Sequence, residues 1–527
     1  MKIYKHISII LMACSALLFT VQCTDSYDRY NKTGVNDEEG SRDQYFLKTH
    51  MTNMQSWIIP SASHANQFSE QLLGGPYGGY FSDVNPGFNN RNFSTYGPED
   101  GWYASIFKDY MKEVMTSYNT VKTLTEDPVL LSVASITKVA AMSRITDIFG
   151  PIPYTEVGVD GALNAKYDSQ EDVYKTMLDE LDEAIDVLTV NRTNDFSPKA
   201  DRIYSGNVER WIKYANSIKL RMAIRMSEVE PLLARTKAEE VMSNAIGPIL
   251  SNDDNANLTL VSGQTNPYAY GFDIWNSGGD ARISADITSY MNGYNDPRMA
   301  AYFEESAFGP GVYVGFRNGI SIPAQSIGQQ YSRMNPEVYN QMSMRLMNAA
   351  EIAFLRAEGA LRGWNMGGTA QSLYESGIEL SFGQWGVSGA AAYIANATSS
   401  PLKYVDPLGS YSFIGSPSTI KIAWSGSNFD ENLERIITQK WIANYPNGIE
   451  AWSEFRRTGY PKLMPVLLNR SSVITDLNKM ARRLPYPNDE YTGNRENVLN
   501  ALSTFFNAPD NMATDVWWAN NPANGSK

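Results

Sequence analysis

The chain has only two cysteines and three histidines among 527 residues, and it is short of positive charge. Each scarcity excludes a class of chemistry. Cys14 lies inside an apolar run near the start and Cys23 just after it, so once that run is removed no pair remains for a structural disulfide. Of the histidines, His50 and His64 alone lie beyond that run, both in the first helical region. There is no H-E-x-x-H zinc motif and no G-x-x-x-x-G-K-[ST] phosphate loop, and "GVSGA" at 386–390 lacks the last glycine of a nucleophile elbow. The 44 basic residues stand against 57 acidic ones, a formal charge of −13, which argues against a nucleic-acid-binding surface. Apart from the N-terminal run, no stretch of membrane-spanning length is apolar throughout. These gaps point away from catalysis and toward binding. A glycosidase-type carboxylate pair needs no local spacing, so that reading stays open.

The N-terminus reads as a targeting segment. Lys2 and Lys5 precede the apolar "ISIILMACSALLFTV" of Ile7–Val21, which is too short for a lasting span. Cys23 sits where a bacterial lipoprotein is cleaved and acylated, although Gln22 stands where a small residue is usual. Residues 1–22 are therefore expected to be a signal peptide and Cys23 the lipidated residue. Residues 23–40, polar and partly acidic, form a flexible tether. Ordinary secretion with an incidental Cys23 is the alternative.

Residues 41–527 carry helical periodicity. The spacing predicts helices in "SIFKDYMKEVMTSYNTVKTLTE" and "PVLLSVASITKVAAMSRITDIFG" as a pair, then "SQEDVYKTMLDELDEAIDVLTV" capped at Asp168-Ser169. Further pairs are "NVERWIKYANSIKLRMAIRMSEVEP" with "LLARTKAEEVMSNAIG", "MNAAEIAFLRAEGALRGW" with "TAQSLYESGIELSFGQWG", and "DENLERIITQKWIANYP" with "IEAWSEFRRTG". Ala350, Phe354, Ala357 and Leu361 recur on one helical face, with small residues where a neighbour can approach. The class is all-α: tetratricopeptide-like helical pairs of irregular period, with long irregular loops and a few short strands. Arg456 and Arg457 fall in a last helical turn, where cations suit the macrodipole, and read as framework; Arg482 and Arg483 read as a second structural pair.

Long Gly/Asn/Tyr/Ser segments at about 74–102, 251–345 and 386–428 interrupt the helices, and loops of that length usually bind something. Short strands and turns are expected within them. Aromatic residues are plentiful, with 31 Tyr, 20 Phe and 11 Trp, and they cluster in these loops. The clusters are Gly74–Tyr103, Asn266–Arg282 and Phe308–Gly319. Sugars present apolar C–H faces rimmed by hydroxyls, which rings flanked by Asn, Asp and Arg match; peptides can use the same groups. "SNDDNANL" at Ser251–Leu258 offers oxygens for Ca²⁺ but lacks the EF-hand pattern, so a hydrated turn is preferred and no cofactor is assigned.

The segments "NVERWIKYANSIKLRMAIRMSEVEP", "NDPRM" (295–299), "MNAAEIAFLRAEGALRGW", "YESGIELSF" and "ARRLPYPNDEYTGNRENV" together resemble the SusD/RagB outer-membrane lipoproteins, as does "SRITDIFGPIPYTEV" (143–157). The resemblance runs in order from about residue 40 to the C-terminus. It implies a non-enzymatic, surface-exposed lipoprotein of the outer membrane. Such a protein would capture oligosaccharides, or peptides in some members, and hand them to a SusC-like TonB-dependent transporter that it covers as a lid. Binding residues vary across that family, so only the loop regions carry over. Ring chemistry then selects Tyr77, Tyr80, Phe81, Phe88, Tyr270, Trp275 and Tyr313 as candidate platforms. Asn85, Arg91, Asp273 and Arg282 are candidate hydrogen-bonding partners.

Overall fold

The computed structural model describes residue 40 and residues 42–158, 164–415, 417–426 and 428–520. The signal segment, Cys23 and the tether as far as residue 39 lie outside the described residues. The chain divides into two compact units, residues 1–49 and 50–527. In the first, a short 3₁₀ turn at Arg42–Gln44 leads into a helix beginning at Tyr45. The second carries the helical scaffold and the long loops.

Eight helices make this scaffold: α1 (Pro128–Phe149), α2 (Gln170–Val190), α3 (Val208–Arg225), α4 (Pro231–Ser243), α5 (Ala349–Leu361), α6 (Ala370–Gln384), α7 (Phe429–Ala443) and α8 (Gly448–Thr458). Their ends are written in the sequence. Asp127 accepts from Val129 N–H and Pro128 opens α1; Ser169, Asn207, Asn348 and Asn428 cap α2, α3, α5 and α7 in the same way. Gly459, at φ 76°, stops α8. α1 is long and apolar enough to cross a membrane, but here it is the buried core helix.

Successive pairs pack as α1 on α2, α3 on α4 and α5 on α6, and α2–α3 and α3–α5 contacts join the pairs. A Cβ on Gly377 of α6 would lie 2.7 Å from the Phe354 ring of α5, so glycine there admits the ring. α1 packs on the 100–124 helical segment before it, as expected, and also on α2. One expected pairing is corrected. α7 packs on α5 and α6, whereas α8 turns away onto the 67–77 segment and α1. The reason is a backbone crossing: a Cβ on Gly448 would sit 2.1 Å from Gly74 O, an approach that only paired glycines permit.

Helices α3, α5, α7 and α8 meet in a buried ion network. Glu450 accepts from Arg225 at 2.5 Å and Lys440 at 3.0 Å; Glu454 accepts from Arg225 at 2.7 Å and Arg457 at 2.6 Å. Arg457 also grips Glu358 of α5 through both terminal nitrogens, at 2.6 and 2.7 Å. Arg456 lies over Trp452, 3.7 Å from the ring centroid, and donates to Asp147 O and Arg482 O. The arginine pair closing α8 therefore points inward to acids and carbonyls; the macrodipole is not its main partner. Arg483 likewise donates to Phe149 O at 2.9 Å.

The long loops contain two small antiparallel ribbons, β1 (Phe81–Asp83) with β3 (Ala281–Ile283), and β2 (Ala256–Thr259) with β4 (Ser343–Met347). Within 251–345 the chain also forms a ten-residue helix, Ala285–Tyr294, beyond the strands and turns expected there. Ser284 caps it, and Ile287, Tyr290, Met291 and Tyr294 bury its inner face. The Ser251–Leu258 segment is a short 3₁₀ turn at Asn252–Asp254 that runs into β2: Ser251 accepts from Asp253 N–H, and Asp254 pairs with Lys213 at 3.0 Å. No group of three or more His, Cys, Asp or Glu that could hold a metal ion occurs among the described residues.

Candidate functional site

The β1–β3 ribbon decides which loop residues face solvent together. Phe81 pairs with Ile283, Ser82 with Arg282 and Asp83 with Ala281, and all six are buried. The ribbon pins the 74–102 loop to the 266–282 loop, so the residues after β1 and those before β3 emerge side by side. Just before β3, Asn276, Ser277, Gly278 and Gly279 all have positive φ, from 49° to 125°. This tight turn folds the Tyr270–Trp275 segment back; Gly279 lies so close that a Cβ would meet Gly271 O at 2.4 Å. Gln325 donates to Gly279 O at 3.0 Å and holds the turn from the far side.

A row of rings results. Tyr270 and Trp275 lie 5.3 Å apart, and Trp275 lies 5.8 Å from His64. His64 and Phe68 are four residues apart on the helical segment 63–74 and so share a face. Phe68 stacks on Trp102 at 6.0 Å, and Phe88 meets Trp102 edge-on at 5.3 Å. His64 is exposed, and Phe68, Phe88, Tyr270 and Trp275 keep part of their surface open. Polar groups rim the row. Arg91 reaches over Trp102 and pairs with Glu99 at 3.3 Å; Asp273 pairs with Arg333 at 2.9 Å, and Arg333 also holds Glu304. Asn85 caps its own turn by accepting from Gly87 N–H and donates to Asp280 at 3.1 Å. Asn276 donates to the same Asp280 oxygen.

Phe88, Arg91, Tyr270, Asp273 and Trp275 thus lie on the row or its rim, and Asn85 supports it from below. Four candidates are corrected, because the packing leaves them no free face. Tyr77 is enclosed by Phe93, Tyr96 and Trp452. Tyr80 stacks on Trp441, interplanar angle 9°, and donates to Trp441 O at 2.5 Å. Phe81 lies against Phe272 at 4.9 Å in the core. Arg282 is buried and donates to Gly278 O and Ala281 O, so it holds the turn and does not reach solvent. Tyr313 is half-buried, and among the described residues it makes no ring contact with the row. His64, Phe68, Trp102 and Arg333 were not singled out in the sequence. The i,i+4 spacing of His64 and Phe68 was visible there, but nothing local said which helical face would meet the loops.

Asp83, beneath the row on β1, is buried, and burial pushes its carboxyl up to about 7; the Ser94 hydroxyl offsets part of this and nearby Asp280 adds to it. A carboxyl raised on folding favours the protonated native state. It costs stability as pH climbs from the ordinary value of 3.8 through about 7. Asp83→Asn is therefore expected to raise the melting temperature at pH values above about 7 and to change it little near pH 4. Thermal melts of both proteins across that range check this; an equal shift at every pH would count against the buried-carboxyl account.

The fold is thus a scaffold of helical pairs whose loops present a ring row with a polar rim. The SusD-like family model, described as Susd and RagB outer membrane lipoprotein, matches residues 29–519, and the chain belongs to this family. Solved structures agree. A SusD homologue from Bacteroides uniformis is 45% identical with a TM-score of 0.85, the match covering 90% of this chain and 99% of that one. One from Bacteroides ovatus is 41% identical with the same TM-score and coverage. A chitin-binding SusD homologue from Flavobacterium johnsoniae is 39% identical, again at 0.85 over 90% and 99%. No curated protein matches the chain.

Proposed function

We propose that this protein captures oligosaccharides on the row from Tyr270 to Phe88 and passes them to a SusC-like TonB-dependent transporter. In this reading it is held at the outer-membrane surface by an acylated Cys23 and performs no catalysis. The observation that carries it is the alignment of partly open rings from three separate chain segments beside fixed Asn, Asp and Arg groups. Such a surface suits the C–H faces and hydroxyls of sugars. The family assignment and the chitin-binding relative support the same ligand class.

Calorimetric titration of residues 24–527 against neutral oligosaccharides, chitin fragments included, and mixed short peptides tests the reading. A glycan is expected to bind, and Trp275→Ala to weaken it roughly tenfold, about 1.4 kcal/mol, with the melting temperature nearly unchanged. Binding of peptides with silent glycans would replace the ligand class. Glycan binding indifferent to Trp275→Ala and Tyr270→Ala would remove the row as its site.

A further inference from the structure

The two ends of the ring row, Phe88 and the Tyr270–Trp275 pair, lie on different loops, and one buried residue bonds to both loops. Asp280 follows the Asn276–Gly279 turn, one step beyond the last β1–β3 pair of Asp83 with Ala281, and is 5% exposed. Its backbone N–H donates to Gly271 O at 2.7 Å, next to Tyr270. Its carbonyl accepts from Val84 N–H at 2.8 Å, next to Asn85. Its carboxylate Oδ1 accepts from Asn85 Nδ2 at 3.1 Å and from Asn276 Nδ2.

Each amide carries this grip on to a ring. Asn85 is engaged at both ends: its nitrogen donates to Asp280, while its oxygen accepts from Gly87 N–H and caps the Pro86–Phe88 turn. The amide can therefore sit only one way round, and the turn that presents Phe88 is fixed with it. Asn276 adjoins Trp275 and has φ 49°, and Ser277 after it has φ 54°. Residues other than glycine hold such a conformation only where the surroundings over-determine it. The bond from Asn276 to Asp280 does part of this, beside Gly278 N–H to Asp273 O at 3.0 Å and Gly279 N–H to Trp275 O at 2.8 Å. Burial pushes the Asp280 carboxyl up, and the bonds from Asn276 and Asn85 pull against that shift by favouring the charged form.

We propose that Asp280 is the positioning residue of the ring row: through Asn85 and Asn276 it sets Phe88 and Trp275 at the one separation at which a ligand meets both ends. Its consequence for affinity rests on the row being the binding site; its hold on Trp275 does not.

The test has a readout for each. Residues 24–527 are labelled with 5-fluorotryptophan, and the fluorine line of Trp275 is identified by its loss in Trp275→Phe. That line is expected to move in Asp280→Ala and in Asn276→Ala. It is expected to return to the wild-type position in Asp280→Asn, which keeps an acceptor oxygen in place. Titration with chitotetraose, a chitin fragment, follows. Asp280→Ala should weaken binding roughly tenfold, and Asp280→Asn should restore it to within about threefold. Asn85→Ala should weaken binding in the wild type and add nothing to Asp280→Ala, because the two act as one unit. A residue that served stability alone would lower the melting temperature and leave the affinity of the folded protein as it was. An unmoved Trp275 line in Asp280→Ala overturns the proposal. So does wild-type affinity in Asp280→Ala where Trp275→Ala weakens binding. If Asp280→Ala does not fold, an unmoved line in Asn276→Ala together with wild-type affinity in Asn85→Ala overturns it. Chitotetraose binding indifferent to Trp275→Ala and Tyr270→Ala would remove the row as the site, and the fluorine line then decides by itself whether Asp280 positions Trp275.

Discussion

Glu454→Ala is expected to lower the unfolding free energy by about 3–5 kcal/mol, the usual cost of removing one partner from a buried ion cluster. Glu454 is 3% exposed and lies between Arg225 and Arg457, with Lys440 at 3.6 Å. Deleting its carboxylate removes one acid partner from each of Arg225, which keeps Glu450 and the more distant Asp147, and Arg457, which keeps Glu358, in surroundings that hydrate neither. Burial alone would raise the Glu454 carboxyl, but the attraction of Arg457, Lys440 and Arg225 outweighs it and the net shift is downward. Glu358 behaves alike and is held down to about 2: burial opposes the charge, and Arg457 and Arg362 more than compensate. For carboxyls lowered on folding, the stabilisation is present above their ordinary value of 4.5 and is lost as pH falls toward the folded value. Wild-type protein should lose stability steeply below about pH 4.5, and the variant less steeply. Denaturant titrations at neutral and acid pH measure both effects. A variant within about 1 kcal/mol of wild type would show the network to be dispensable.

Gly448→Ala should be damaging for a different reason. The added methyl would lie 2.1 Å from Gly74 O and 2.2 Å from Gly74 C, and backbone cannot swing aside as a flexible side chain can. α8 must then lift from the 67–74 segment, at about 1–3 kcal/mol or more for forced overpacking. That segment carries Phe68 and continues the short helix bearing His64, so the strain reaches the ring row. Gly448→Ala should therefore lower the melting temperature and ligand affinity together, whereas Trp275→Ala lowers affinity alone. Calorimetric melts and titrations of the two variants separate the cases; an unshifted melt for Gly448→Ala would mean that the crossing has slack.

Much of the scaffold was legible in the residues because helix signals are local. Caps at Asp127, Ser169, Asn207, Asn348 and Asn428 lie a few residues from the backbone groups they satisfy. The candidate rings were harder. Tyr80 and Trp275 sit in similar Gly- and Asn-rich surroundings, yet one is sealed against Trp441 and the other stands beside exposed His64. Composition distinguishes neither, because Trp441 lies 361 residues beyond Tyr80.

By itself the sequence determined the all-α class, the helices and most of their pairs, the interrupting loops and the family. These rest on periodicity, capping and ordered motifs, each confined to a short span of chain. Only the tertiary structure decided which aromatic residues are framework and which are surface. It also decided that α8 leaves α7 for the Gly74 crossing, and that the arginine pair of α8 serves a buried network. Those outcomes depend on contacts between segments hundreds of residues apart, where close packing and the cost of unpaired buried charge select one arrangement.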